Sequence, residues 1–396
     1  MTRSRTTSKL TTILGQPSWR IATPQVQAFV TRAGGHVGPV TFRLNGRKIS
    51  PYSVAPWATE KSVQRDPRTP SIIKALRGDF FCMPFGGNGS PFNREKHPVH
   101  GEVANANWNF ESLEKKTEGV QLRLSLKTKI RRARIDKSIS LRKGHHAIYS
   151  RHVISGAAGP MTIGHHAMLK FPDLPGSGVI STSRFAFGQV FPEPVERPEN
   201  RGYSMLKPGA EFDSLSRVPT ITGETTDLSR YPARRGFEDL VMLAGEADEP
   251  FAWTAVAFAS RRFVWFALKN PRVLRSTILW LSNGGRHYPP WNGRHVNVMG
   301  LEEVTANFHY GLAESVKANP WQERGVATHI DLAPLHPTTV NYIMAIAQIP
   351  ERFDRVESIE PAAGEGVEIR SSNGEIIRAK IDLQFLTGTD TPMESK

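Results

Sequence analysis

The sequence predicts an all-β protein built as a large antiparallel β-sandwich with few short helices. Period-two alternation of apolar and polar residues recurs from end to end, and Asn373-Gly374 joins two such runs as a hairpin turn. Composition agrees: 29 Pro, 33 Gly and 39% hydrophobic residues in 396 suit many short strands separated by turns. One sandwich domain is expected over 17–386, between a flexible N-terminal tail (1–16) and a flexible C-terminal tail (387–396).

The elements follow in order. Val26 to Val30 leads into Gly34-Gly35, and Val40 to Leu44 ends at the turn Asn45-Gly46. Within Val120–Ile130, the residues Val120, Leu122, Leu124, Leu126 and Ile130 face one way. Arg123, Lys127, Lys129 and Arg131 face the other, which is the mark of a half-buried strand with a solvated face. Further runs are Ala147–Ile154, Leu240–Leu243, Trp253–Phe258, Phe263–Leu268 and Thr277–Leu281. Val340–Ala347 fits either a short helix or another apolar strand, and Pro350–Ile359 is the better helical candidate. The Asn-Gly turn joins Val367–Arg370 to Ile376–Leu383. Pro172–Arg201 and Lys207–Arg235 have few periodic apolar positions and read as long, functional loops over one end of the sandwich.

Several function classes drop out. No window approaches 18 uninterrupted apolar residues, so no membrane span is expected, and Leu10–Leu14 is too short for a signal-peptide core. The single cysteine, Cys82, forbids an internal disulfide and a Cys-based zinc cluster, and makes the cytoplasm the expected compartment. The histidines His145, His146, His152, His165 and His166 lack a recognised ligand spacing with a nearby carboxylate, so no metal is expected. Net charge is +14, yet there is no RNP-type motif, basic helix or zinc-finger spacing. A small acidic or phosphorylated ligand suits that charge better than nucleic acid. The oligomeric state is left open.

Three segments could hold chemistry. Between Gly78 and Phe110 an apolar run, Phe80-Phe81-Cys82-Met83, breaks at Pro84 into a glycine-rich loop that reaches His97-Pro98-Val99-His100-Gly101 and then Trp108. Imidazoles bond hydroxyls and aromatic faces cover the apolar face of a sugar, so this segment suggests a sugar site; the alternative is a loop that happens to hold two histidines. In Thr162–Leu169 the adjacent His165 and His166 point to opposite faces of a strand, so at most one faces a cleft. In Arg294–Thr305, Glu302 is in phase with Val296 and Val298. A carboxylate on an apolar face is desolvated and rises towards the pKa of a useful base; otherwise Glu302 and Glu303 are an exposed strand end.

Taken together, these segments resemble the aldose 1-epimerase (galactose mutarotase) family. The matches run in order from Trp19 to Ala313: Thr31–Gly35 for the opening strand and Gly-Gly turn, Pro84–Asn88 and His100-Gly101…Trp108 for the loop and its His-Gly…Trp motif, His166–Leu169 for the histidine strand, Gly236–Asp239 for the Gly-Tyr-Asp-His motif, and Leu301-Glu302 for Leu-Glu. The resemblance implies a galactose mutarotase-like sandwich and an enzyme that interconverts the α and β anomers of a hexose or modified hexose without a cofactor. It implies Glu302 as general base, His166 as general acid, and His100 and Glu238 as sugar-binding groups, with Arg94 and Trp108 beside them. Glu302 and His166 are then expected to lie across the width of a pyranose ring, in reach of O1 and O5, with Glu303 uninvolved. The chain departs from the family pattern at Glu238, where Asp is usual, at Ala167-Met168, which replaces an aromatic neighbour, and at Asn93-Arg94, which stands in for Asn-Arg-Ile.

Two other readings compete. A non-catalytic carbohydrate-binding protein of the same fold would keep the cleft without a working acid–base pair. A hexose-phosphate 1-epimerase would place two or more of Arg94, Arg286 and Arg294 at the cleft rim to meet the phosphate.

Overall fold

The computed structural model describes residues 9–200 and 202–388. Two antiparallel sheets dominate it, one of nine strands and one of seven. Across its width the seven-stranded sheet runs Glu211–Phe212, Phe185–Val190, Glu238–Gly245, Ser276–Ser282, Val298–Thr305, Ile163–Lys170 and Phe81–Cys82. The nine-stranded sheet is centred on Thr338–Gln348, paired with Phe263–Lys269 and Ala147–Ser155. Ala167, Leu169, Val241, Leu279 and Leu301 of the first sheet share one apolar cluster with Leu122, Ile135, Ile148, Trp265 and Met344 of the second, as a β-sandwich requires. No α-helix among the described residues exceeds five residues.

The outer faces are covered too. Phe80, Met168, Leu240, Trp280, Val298 and Val304 form a second cluster with Ile72 of the short helix Ser71–Ala75. On the outside of the nine-stranded sheet, Tyr149, Phe266 and Ile343 pack with Val356, Ile359 and Ile369 of the three-stranded sheet Val356–Pro361, Val367–Ser371, Ile376–Ala379. Central strands buried on both faces lose the polar half of their alternation. This is why Thr338–Gln348, a strand, showed no clear period over Val340–Ala347.

Four expectations change. Pro350–Ile359 is not helical: Phe353 is buried ahead of the strand Val356–Pro361, and a register shift between Val356 and Ser358 lets the buried Val356 and Ile359 keep a three-residue spacing within that strand. Gly178–Thr182 and Phe185–Val190, inside the segment expected to be loop, belong to the two large sheets. Their glycines leave the space that partner rings fill, since a Cβ would come within 2.3 Å of Phe171 at Gly178 and of Phe212 at Gly188. Within the expected N-terminal tail, Thr11–Ile13 is a strand paired with Gln16–Ala22, and the buried Arg77 guanidinium donates to the carbonyls of Ile13 (2.9 Å) and Leu14 (2.7 Å). A short helix, Gln384–Thr387, spans the expected start of the C-terminal tail; the remainder of each tail lies outside the described residues.

Candidate active site

Ile163–Lys170 and Val298–Thr305 pair antiparallel with His166 directly opposite Glu302. Side chains of directly opposed residues on one face are neighbours. His166 Nε2 lies 3.2 Å from Glu302 Oε1, and both side chains are buried. They are therefore in contact and not a ring's width apart. Two residues before Glu302 stands Gly300, where a Cβ would come within 2.6 Å of Glu302 Oε1 and 3.1 Å of the Trp280 ring. The carboxylate occupies room that only glycine leaves.

Aromatic rings set the imidazole. His166 stacks on Phe80 (centroids 4.5 Å apart) and meets the edges of Trp280 (5.6 Å) and His100 (5.1 Å). His100 sits at φ 56, and the Asn88 side chain holds its loop by donating to the carbonyls of Pro84, Gly86 and Pro98 while accepting from the Leu312 N–H. Next to Trp280, Glu238 accepts from the Trp280 indole (3.0 Å) and the Ser282 hydroxyl (2.9 Å). Arg286 lies over Trp280 and Trp291, with Nε 2.6 Å from Glu196 and 4.0 Å from Glu238.

These groups border a cavity of about 130 Å³. His100, His166, Arg286, Glu302 and His309 give it polar atoms, and Phe80, Trp280, Trp291 and aliphatic side chains form the rest of the wall. A larger hollow of about 540 Å³ near Glu102, Glu111 and Arg134 gathers exposed charges and holds no buried acid–base pair. Burial governs the electrostatics of the small cavity. It pushes the Glu302 carboxyl up to about 8, with Arg286 opposing, and Glu238 up to about 7 against Arg286, Ser282 and Trp280. It pulls His166 down to about 3 and His309 to about 4, and holds His100 well below the ordinary imidazole value, with nearby positive charge adding to each. Burial disfavours the charge of Arg286, but Glu238, Tyr288 and Glu196 outweigh it and keep the guanidinium protonated. The shifts of Glu302 and His166 both favour a carboxylic acid beside a neutral imidazole over a carboxylate beside an imidazolium. His166 Nδ1 and His309 Nδ1 are buried without a protein partner among the described residues, which leaves them for a ligand. Among those residues no group of three or more His, Cys, Asp or Glu is placed to hold a metal ion, and no helix is long and apolar enough to cross a membrane.

Of the residues singled out in the sequence, Glu302, His166 and His100 line one cavity. Glu238 does not: its carboxylate accepts from Trp280 and Ser282 and is wholly buried. Trp108 is also absent from the cavity. Its indole lies in the core, donating to the Val103 carbonyl (3.2 Å) and filling the space over Gly35, where a Cβ would come within 2.8 Å of it. Arg94 is exposed in a left-handed turn at φ 72, off the cavity. Of the three arginines offered for a phosphate only Arg286 reaches the cavity, already matched by Glu196, while Arg294 pairs with Glu60. Glu303 lies off the cavity, where it forms a buried ion pair with Lys269 and accepts from Thr254 and Thr277. The sequence reading missed Trp280, Trp291 and His309. Trp280 could have been found as the ring opposite Gly300; His309 carried no signal.

No family model matches the chain, and no curated protein matches it. Solved structures do. A candidate aldose 1-epimerase from Escherichia coli aligns with 85% of this chain and 100% of its own at 13% identity and a TM-score of 0.55. A candidate aldose 1-epimerase from Klebsiella pneumoniae aligns with 85% of this chain and 80% of its own at 13% identity and a TM-score of 0.60. A galactose mutarotase related enzyme from Lactobacillus acidophilus aligns with 84% of this chain and 97% of its own at 10% identity and a TM-score of 0.53. At such identities the likeness is one of architecture, and the chain has the galactose mutarotase-like fold.

Proposed function

We propose that this protein is an aldose 1-epimerase-like enzyme that interconverts the α and β anomers of a hexose or modified hexose. The observation that supports this most is the buried Glu302–His166 contact on the wall of a cavity of about 130 Å³. Mutarotation removes the O1 proton as C1=O1 forms and the C1–O5 bond breaks, and delivers a proton to O5. Rotation about C1–C2 and reclosure by the reverse transfers give the other anomer. The reaction consumes no proton, and the pair holds one. Carboxylate beside imidazolium and carboxyl beside imidazole are two placements of that proton across 3.2 Å. In the first placement Glu302 is the base at O1 and His166 the acid at O5. The low-dielectric wall favours the neutral placement, carboxyl beside imidazole, and the positive charge of Arg286 opposes the rise of the Glu302 carboxyl. The ligand class is a small-molecule sugar.

The non-catalytic carbohydrate-binding reading draws on the same contact, because a resting Glu302–His166 pair satisfies its two members against each other. Exchange NMR of anomer interconversion across a sugar panel separates the two. Interconversion above the buffer rate supports the enzyme; binding with no interconversion for any sugar overturns it.

A further inference from the structure

The cavity wall is apolar over most of its extent. The helix Ser71–Ala75 and the residue after it bring Ile72, Ile73 and Leu76 to the cavity, and Val99 and Val195 extend that surface from two loops. Among the described residues its polar side chains are His100, His166, Arg286, Glu302 and His309, joined by the indoles of Trp280, which donates to Glu238, and Trp291. Some of that capacity is committed: Arg286 Nε to Glu196, and His166 Nε2 to Glu302. The carboxylate of Glu238, which could have accepted from a sugar hydroxyl, is enclosed by Trp280 and Ser282. A hexose bears an oxygen on every carbon. A hydroxyl pressed against Ile72, Ile73 or Leu76 would lose its water and gain no partner.

We propose that the cavity selects a deoxyhexose-type cyclic hemiacetal, a ring that presents hydrogen or methyl to the Ile72–Ile73–Leu76 wall where a hexose presents hydroxyl. This rests on the anomer-interconversion reading of the same cavity, with O1 and O5 at the Glu302–His166 pair and the remaining ring edge against the wall. The wall discriminates by failing to satisfy a hydroxyl and not by a clash. Hydrophobic sites reject an added hydroxyl by up to about 10²-fold, so a preference of about 10- to 100-fold is expected for the best deoxy position.

The test compares hexoses with their single-position deoxy analogues, read in two ways: kcat/KM for interconversion by exchange NMR, and affinity by ligand-observed NMR titration. Wild type should favour at least one deoxy analogue over its parent about tenfold or more in both. The half-buried Ile73→Thr offers a hydroxyl partner at little change of shape and should shrink that preference severalfold, with Val99→Thr as a second, exposed variant whose folding is not in question. Equal treatment of hexose and deoxyhexose, or no binding of any analogue, overturns the proposal. A deoxy preference in binding without interconversion keeps the selectivity and removes the enzymatic reading instead.

Discussion

Two faces of one strand pair carry the same residue types and give them opposite surroundings. His165-His166 and Glu302-Glu303 are consecutive along Ile163–Lys170 and Val298–Thr305, and the register sets His166 opposite Glu302 and His165 opposite Glu303. On the inner face, Glu303 has Lys269, Thr254 and Thr277, while His165 bonds Asp79 (2.9 Å) and stacks on Tyr342 (4.3 Å). On the outer face, Glu302 has His166 and the cavity, and His166 keeps Nδ1 without a protein partner. The inner carboxylate has three side-chain partners and the outer one has His166, while each histidine keeps one buried ring nitrogen without a protein partner among the described residues, His165 Nε2 inside and His166 Nδ1 outside. Only the outer pair borders a cavity where a ligand can use such capacity, whereas the Glu303 network fixes the two sheets against each other. The chemistry of this sheet is decided by which side of the pleat a residue occupies.

That comparison breaks most sharply at the carboxylates. Glu302→Gln keeps the shape and removes the proton acceptor, so kcat for interconversion should fall about 10²–10⁴-fold while sugar binding persists. His166→Asn should cost a similar factor, and the double variant much less than the product, because both groups serve one proton transfer. A Glu302→Gln variant within threefold of wild type in exchange NMR would remove the assignment.

Glu303→Gln, by contrast, should act on stability. It leaves Lys269 buried without a counter-charge, and breaking a buried pair costs about 3–5 kcal/mol. Urea unfolding should show that loss, with the rate per folded molecule nearly unchanged. A Glu303→Gln protein as stable as wild type would mean that the two faces do not differ as described.

The pH dependence sharpens the same contrast. Glu302 is held up to about 8 and His166 down to about 3, so the singly protonated pair spans the interval between. Above about 8 the pair loses its proton and the rate should fall up to about tenfold per pH unit. For stability the signs oppose. The raised Glu302 contributes stability that is full below its unfolded value of 4.5 and is lost as pH rises through about 8. The depressed His166 contributes stability that is full above 6.5 and is lost as pH falls towards about 3. Glu302→Gln should therefore flatten the alkaline limb of the stability profile and leave the acid limb. An unaltered alkaline limb would place the titration elsewhere.

Much of the fold and the centre of the site were legible because they rest on period and register. Alternation along Gly119–Thr128 was plain since one face is solvated, and two adjacent histidines on a strand have to face apart. What escaped depends on tertiary neighbours. Phe353, Val356 and Ile359 mimic a helical stripe because a residue buried ahead of the strand precedes two whose spacing a register shift accommodates, and Trp108 resembles a sugar platform until Gly35 is seen beneath its indole. Glu238 matched its motif in sequence, yet its carboxylate is enclosed by Trp280 and Ser282 and does not line the cavity. Which partners a buried side chain finds is set by packing and leaves no trace in spacing.

The smallest expected effect belongs to Arg94, whose sequence assignment to the site the fold does not support. It is exposed, at φ 72, and does not border the cavity, whereas Arg286 is stacked over Trp280 and Trp291 and held by Glu196. Arg94→Ala removes a solvated charge and no packing, so stability should shift by less than about 0.5 kcal/mol, the scale of surface substitutions. A left-handed non-glycine position adds a second consideration: Arg94→Gly should be neutral to slightly stabilising, since glycine adopts that backbone without steric cost. Arg286→Lys is the counterpart. An ammonium cannot keep both the planar stack and the Glu196 contact, so affinity for the sugar should weaken while the sheet stays folded. If Arg94→Ala instead lowered sugar affinity as much as Arg286→Lys, the loop Asn93-Arg94 would have to close over the cavity with ligand bound. The wall described by Ile72, Ile73 and Leu76 would then be only one side of the site.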